Sequence, residues 1–283
     1  MVKIERRNYV TKKIKDLKQA IILEIREHKS TLLVYTILRL FVIIVAILQF
    51  FNRNYENVFL CILTLLLLII PSFVQVTFKI ELPTTLEIIL LLFIFAAEIL
   101  GEIGGYYLTV PYWDTMLHTL NGFLAAAIGF SLVNLLNNSD KLQFELSPLF
   151  MAIVAFSFSM TIGVIWEFFE FGMDQLFMMD TQKDTIIQAI HSVSIDPSGI
   201  MVHIGNIDSV VVNGELLPIN GYLDIGLIDT MQDLIVNFIG AFIFSTIGFL
   251  FLKFDGDGHI VNKFLPIKKE KDKDYLEIIK RES

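Results

Sequence analysis

Several stretches of the chain carry acidic, imidazole and amide side chains at helical spacing within otherwise apolar sequence. Asp114, His118 and Asn121 stand at i, i+4 and i+7. Glu167, Glu170 and Asp174 stand at i, i+3 and i+7, and Asp229, Asp233 and Asn237 at i, i+4 and i+8, with Gln232 beside them. A fourth stretch adds Glu98 and Glu102, one turn apart. On an α-helix such spacing lines each set along one face. Imidazole with carboxylates suits zinc, manganese or iron, and an all-oxygen set suits magnesium or calcium. Asp114, His118, Glu167 and Asp233 are therefore the candidate metal ligands. Glu170 is the candidate general base, with His118 as its acid–base partner. Glu98, Glu102, Asn121, Asp174, Asp229, Gln232 and Asn237 form the supporting polar set.

Carboxylates gathered in one place repel one another, and no Lys or Arg in these four stretches offsets them. The compensating charge must be bound protons, Arg39 from an earlier apolar stretch, or a divalent metal such as zinc, manganese or magnesium. His118 alone would read as an ordinary core histidine. Asp114 one turn before it, and the other acids facing it, turn the reading toward a ligand or an acid–base group.

The elements that must position these residues follow from composition. The chain has 283 residues, is 54% hydrophobic and has a mean hydropathy of +0.65, beyond what a soluble domain of this length shows. The expected class is an all-α polytopic membrane bundle. Six apolar stretches approach the roughly 20 residues needed to cross a bilayer: residues 32–51, 58–78, 86–107, 113–136, 149–177 and 229–252. Pro71 predicts a kink in the second, and Arg39 in the first is expected to snorkel to the inner surface. The organisation reads as a basic segment over 1–30, a membrane domain over 31–253 and a charged tail over 254–283. The single cysteine, Cys61, sits in an apolar run and cannot form an intrachain disulfide.

Orientation follows from the basic residues. Nine Lys/Arg lie in the first thirty residues and eight from Lys253 onward. Between Glu98 and Asp233, sixteen Asp/Glu face only Lys141 and Lys183. An even number of spans with basic ends predicts cytoplasmic termini. Lys79 and Lys141 then fall in inner loops, and Arg53 is the one basic residue of the first outer loop. Segment 1–30 lacks the layout of a signal peptide. Its Val10, Ile14, Leu17 and Ile25 between lysines predict an amphipathic helix on an anionic inner leaflet, or else a solvated basic helix. With this topology the polar sets of four helices meet at one depth, roughly 10–15 Å below the outer surface at about 1.5 Å rise per residue. Gly101, Gly104, Gly105, Gly122, Gly163 and Gly240 predict close helix packing there.

Residues 178–228 form a long outer loop. Asn213-Gly214 and Asn220-Gly221 are hairpin signals, the first flanked by Val210–Val212 and by Leu216 and Leu217. In the tail, Asp255-Gly256-Asp257-Gly258 reads as a turn after the last helix and lacks the remaining positions of a calcium loop.

The segments Trp113-Asp-Thr-Met-Leu-His118 with Asn121-Gly122, Trp166-Glu-Phe-Phe-Glu170, and Asp229-Thr-Met-Gln-Asp233 with Asn237 and Gly240-Ala241 together resemble YjdF-type bacterial inner-membrane proteins. More distantly they resemble VanZ-like proteins linked to glycopeptide resistance. The resemblance spans roughly residues 95–250 and implies a bacterial inner-membrane protein without an assigned reaction. The outer loop is longer than the resemblance implies, and the arginine ahead of the VanZ-like Asp pair is missing. Membrane lipids are the expected partners, and nucleic acid is not. The leading expectation is a metal-dependent enzyme acting at the outer face on a lipid or lipid-linked phosphate. The alternatives are an ion or small-molecule transporter, suggested by the like openings Asp114-Thr-Met and Asp229-Thr-Met, and a non-enzymatic envelope or antibiotic-resistance accessory protein.

Overall fold

A computed structural model describes residues 2–27, 29–137, 145–254 and 263–282. Lys141 and the Asp255–Gly258 turn fall outside the described residues. Helix α1 spans Val2–Glu27 and α2 Lys29–Phe51. The second apolar stretch divides into α3 (Tyr55–Leu67) and α4 (Ile70–Phe78), with Pro71 in the first turn of α4, where its missing N–H costs nothing. The predicted kink is thus a break at Leu68 and Ile69. The strand β1 (Ile80–Glu81) follows.

The third apolar stretch is helical but not uniform. Twelve α-helical residues, α5 (Thr84–Phe95), run directly into eight π-helical ones, Ala96–Ile103. The span predicted to reach Tyr107 therefore ends at Ile103. Gly105, at φ +69°, turns the chain into the short α6 (Tyr106–Thr109). Three long helices complete the bundle: α7 (Trp113–Asn137), α8 (Pro148–Phe177) and α9 (Leu227–Lys253). Ser147 caps α8 by accepting the Phe150 N–H at 3.2 Å.

Five helical segments, Lys29–Phe51, Tyr55–Phe78, Trp113–Asn137, Pro148–Phe177 and Leu227–Lys253, are long and apolar enough to cross a membrane. The α5–π stretch lies beside them. Side chains such as Leu40, Phe41, Phe168, Phe171, Phe238 and Phe242 are exposed, as a lipid-facing surface requires.

α7, α8 and α9 pack most extensively against one another. Their core holds Ala126, Ala127, Phe130, Met151, Ala155, Ala241 and Phe244, all nearly or fully buried. Two glycines set the α7–α9 distance. A Cβ on Gly122 would come within 2.1 Å of the Asn237 carbonyl oxygen, and one on Gly240 within 2.0 Å of that of Thr119. The backbones are in direct contact, so any side chain at either position would force the helices apart. Ser159 of α8 joins the crossing by donating to the Gly122 carbonyl at 2.7 Å.

The two ends of the bundle differ. At one end α1 packs against α4 and against α10 (Tyr275–Glu282), and β1 pairs antiparallel with β8 (Ile267–Lys268). The segments before the first span and after the last therefore meet. On α1, Asp16, Ala20 and Glu24 are buried on one face, while Val10 and Ile14 are exposed.

At the other end the α8–α9 loop folds into short antiparallel pairs. β2 (Ile186–Ile187) pairs with β7 (Tyr222–Leu223), β3 (Ile190–Ser192) with β4 (Val202–Ile204), and β5 (Val211–Val212) with β6 (Glu215–Leu216). Asn213 and Gly214, both at positive φ, make the predicted two-residue hairpin between β5 and β6. Asn220-Gly221 makes none. Gly221 leads into β7, whose partner β2 is distant in sequence, and a Cβ there would meet the Ile187 carbonyl at 2.8 Å. The glycine serves close strand approach rather than a turn.

Candidate functional site

At the loop end, α7, α8 and α9 bring five of the polar residues together. His118 is 8% exposed and sits between acids on both sides of its ring. Its Nε2 lies 3.4 Å from Asp114 Oδ1 and 3.8 Å from Asp233 Oδ2. Its Nδ1 lies 3.9 Å from Glu167 Oε1. Two overlapping sets of ligand atoms result, each lying mutually within 4.8 Å: Asp114, His118 and Asp233 on one side, and His118, Glu167 and Glu170 on the other.

The α7–α9 crossing positions this cluster. Gly122 lies one turn after His118 and Asn237 one turn after Asp233, so the backbone contact fixes both side chains from below. Asn121 donates to Asn237 Oδ1 at 3.0 Å, and the Asn237 amide turns its nitrogen toward Met160 Sδ at 3.6 Å. Gly163 leaves room for that amide, since a Cβ there would come within 2.7 Å of Asn237 Nδ2. The amide pair ties α7 to α9 just beneath the acids.

Glu167 is 4% exposed, and neither carboxylate oxygen has a hydrogen-bond partner among the described residues. No Lys or Arg of the described residues pairs with Asp114, Glu167, Glu170 or Asp233. Arg39 lies elsewhere, with its guanidinium on the Tyr35 hydroxyl and over the Tyr35 ring, 5.2 Å from the centroid. It does not supply the compensating charge. A buried carboxylate that lacks both a counter-charge and hydrogen bonds carries a large uncompensated desolvation cost.

The remaining predicted residues divide into three groups. Glu98 and Glu102, on the π-helical segment, line a cleft with Glu170, Tyr107, Trp166 and Thr181. The cleft has a volume of about 30 Å³, room for a water or an ion. Gly101 admits the Tyr107 ring, which would otherwise overlap a Cβ at 2.3 Å. Asp174 and Asp229 anchor the loop. Asp174 accepts from the Thr181 N–H at 2.6 Å, the Thr181 hydroxyl at 2.5 Å and the Gln182 N–H at 2.9 Å, while Asp229 accepts from the Lys183 N–H at 2.7 Å. Gln232 is exposed and takes no part in the cluster. Its position, one residue before Asp233, turns it off the buried face.

Four residues outside the predicted set complete the loop anchor. Asp224 accepts from the N–H groups of Thr185 at 2.9 Å and Ile228 at 2.7 Å, fixing the start of α9. Gln182, 9% exposed, donates to the Thr230 hydroxyl at 2.6 Å. Thr181 also donates to the Glu170 carbonyl at 3.0 Å. An Asp-x-Gly just ahead of the apolar helix is the sequence signal for the first of these. Nothing local marks Gln182, whose role depends on how the loop returns to α9.

Comparison with known proteins supports a membrane protein. A family model described as a predicted membrane protein (DUF2238) matches residues 33–254. That range contains every residue of the cluster and stops short of α1 and the C-terminal tail. It agrees with the YjdF-type resemblance carried by the motifs of α7, α8 and α9. No curated protein and no solved structure matches the chain. With four-fifths of its length covered by that family model, the chain belongs to the DUF2238 family of predicted membrane proteins.

Proposed function

We propose that the chain is a metal-dependent membrane enzyme with a divalent cation held by Asp114, His118 and Asp233, acting on a lipid or lipid-linked phosphate. The observation that carries this reading is Glu167, a buried carboxylate with unpartnered oxygens facing one nitrogen of an imidazole whose other nitrogen faces two more acids. Metal-bound imidazoles commonly give their second N–H to a carboxylate, which fixes the tautomer. Ligands about 2.0–2.1 Å from a tetrahedral ion lie about 3.3 Å from one another. The separations of 3.4 Å and 3.8 Å from His118 Nε2 to the two acids need little tightening to reach that spacing.

In this reading Glu167 orients His118, and Glu170 is the base. A divalent cation makes bound water acidic near neutral pH and neutralises a phosphate that the acids would otherwise repel. Glu170 would take the proton that water loses as it bonds to phosphorus and the bond to the leaving oxygen breaks, and would return that proton to the leaving oxygen. The basic termini favour an orientation with both ends cytoplasmic and the cluster toward the outer face, and the YjdF-type resemblance favours a bacterial inner membrane. A reporter fused after Ser283 should read as cytoplasmic, and one inserted at Asn213 as external. The reverse pattern would move the cluster to the other leaflet.

The metal is tested on purified, tag-free protein. One divalent ion per chain should copurify, and chelation at neutral pH should lower thermal stability, by about 2.7 kcal/mol if the free ion stood at a hundred times its Kd. His118→Ala should abolish that sensitivity. Glu170→Gln should keep the ion and lose phosphate release from a lipid diphosphate. Indifference to chelators together with no stoichiometric metal would sink the reading.

A further inference from the structure

The loop over the cluster carries a second imidazole site. β3 and β4 pair with Ile190 opposite Ile204, His191 opposite His203 and Ser192 opposite Val202. Residues directly opposite on antiparallel strands project to the same face. The two imidazoles stack with centroids 4.3 Å apart and planes 26° apart, and their Nδ1 atoms are separated by 2.7 Å. Both residues are exposed.

At that separation the two Nδ1 atoms share one proton, with one nitrogen donating and the other accepting. A cation taking the proton's place at about 2.0–2.1 Å from each nitrogen needs them about 3.0–3.4 Å apart. The opening required is a fraction of an ångström. Rotation of two exposed side chains supplies it without moving the strands. Gly205 leaves the His203 ring space to turn, since a Cβ there would sit 3.3 Å from Nε2.

We propose that His191 and His203 form a two-imidazole clip for a borderline transition-metal ion, Cu²⁺, Ni²⁺ or Zn²⁺, separate from the buried cluster. Imidazole ligands without carboxylates select these ions over magnesium and calcium, with Cu²⁺ held most tightly. Two protein ligands leave the other coordination positions to water or an incoming ligand, so the ion exchanges readily, unlike one in a closed structural site. The clip stands whether or not the cluster binds metal.

The test uses the full-length, tag-free protein in detergent, titrated with Cu²⁺ and followed by electron paramagnetic resonance. It is run in the natural sequence and in a His118→Ala background. Both should show a Cu²⁺ signal with hyperfine structure from two nitrogens. His191→Phe and His203→Phe each keep a ring in the stack and should each weaken Cu²⁺ binding by roughly a hundredfold, because the second imidazole acts at high effective concentration. The double variant should be little worse than either single one. The clip is refuted if either Phe variant binds Cu²⁺ within about threefold of its parent, or if the two-nitrogen signal disappears with His118→Ala alone.

Discussion

At the terminal end of the bundle Glu24, 5% exposed, meets the buried Lys269 in a direct ion pair, with Glu27 beside it bonded to the Tyr275 hydroxyl. At the loop end Glu167, 4% exposed, meets an imidazole, the carboxylate of Glu170 and, among the described residues, no cation. The same side chain at the same depth is balanced in one place and left unbalanced in the other. Even with its partner, burial pushes the Glu24 carboxyl above its usual range more strongly than Lys269 pulls it down. The comparison separates two uses of a buried acid. Glu24 cross-links α1 to the returning tail through a charge that is already satisfied. Glu167 has no counter-charge among the described residues, which is the gap the proposed cation would fill.

Removing one member from each end tests this distinction most severely. Lys269→Met leaves Glu24 buried without a counter-charge and should destabilise the protein by about 3–5 kcal/mol. Replacing both, with Glu24→Leu and Lys269→Met, should restore most of that loss, because no buried charge remains. Glu167→Gln should do the opposite. In chelator-treated protein it removes repulsion without removing a cation, so it should be neutral or stabilising. Thermal melts of the three variants decide. If Glu167→Gln destabilises metal-free protein as much as Lys269→Met does, the acid is already satisfied by the fold and the contrast fails.

How much of this was legible in the sequence depends on whether a feature is local. The helices were, because apolar length sets them, and so was the meeting of Asp114, His118, Glu167 and Asp233 at one end of the bundle, because helical period and alternating chain direction together bring them there. Asn213-Gly214 was legible as a turn because its dihedral demands are met within two residues. Asn220-Gly221 has the same letters, but its outcome depends on β2, over thirty residues away. The two roles of the acids were not separable either. Asp174 and Asp229 share the helical faces of Glu167 and Asp233, yet lie at the helix ends, where the N–H groups of the returning loop claim them. The π-helical segment was also hidden, since Glu98 and Glu102 look one turn apart in either helix type. The His191–His203 pair depends on strand register, which eleven intervening residues do not reveal.

The smallest effect lies at the terminal end, on its surface. Lys79 Nζ reaches Asp274 Oδ2 at 2.7 Å and Glu277 Oε2 at 3.0 Å, and Arg281 donates to Glu277 Oε1 at 2.6 Å. Bonds from Lys79 first and Arg281 second hold the Glu277 carboxyl down at about 2. A carboxyl depressed on folding contributes stability above its unfolded value and loses it as pH falls through the folded one. The contribution of Glu277 should therefore be complete at neutral pH and decline from about pH 5 toward pH 2. Because the Glu277 side chain is 42% exposed at the surface, water and salt screen much of it. Melts of the natural protein and of Glu277→Gln should differ slightly at pH 7 and converge as the solution is acidified, and about 1 M salt should erase the difference at any pH. This response to screening is what distinguishes the surface network from Glu24–Lys269, whose loss salt should leave almost unchanged. A gap between the two proteins that persists under acid and high salt would mean that packing of α10, not charge, holds the tail against α4.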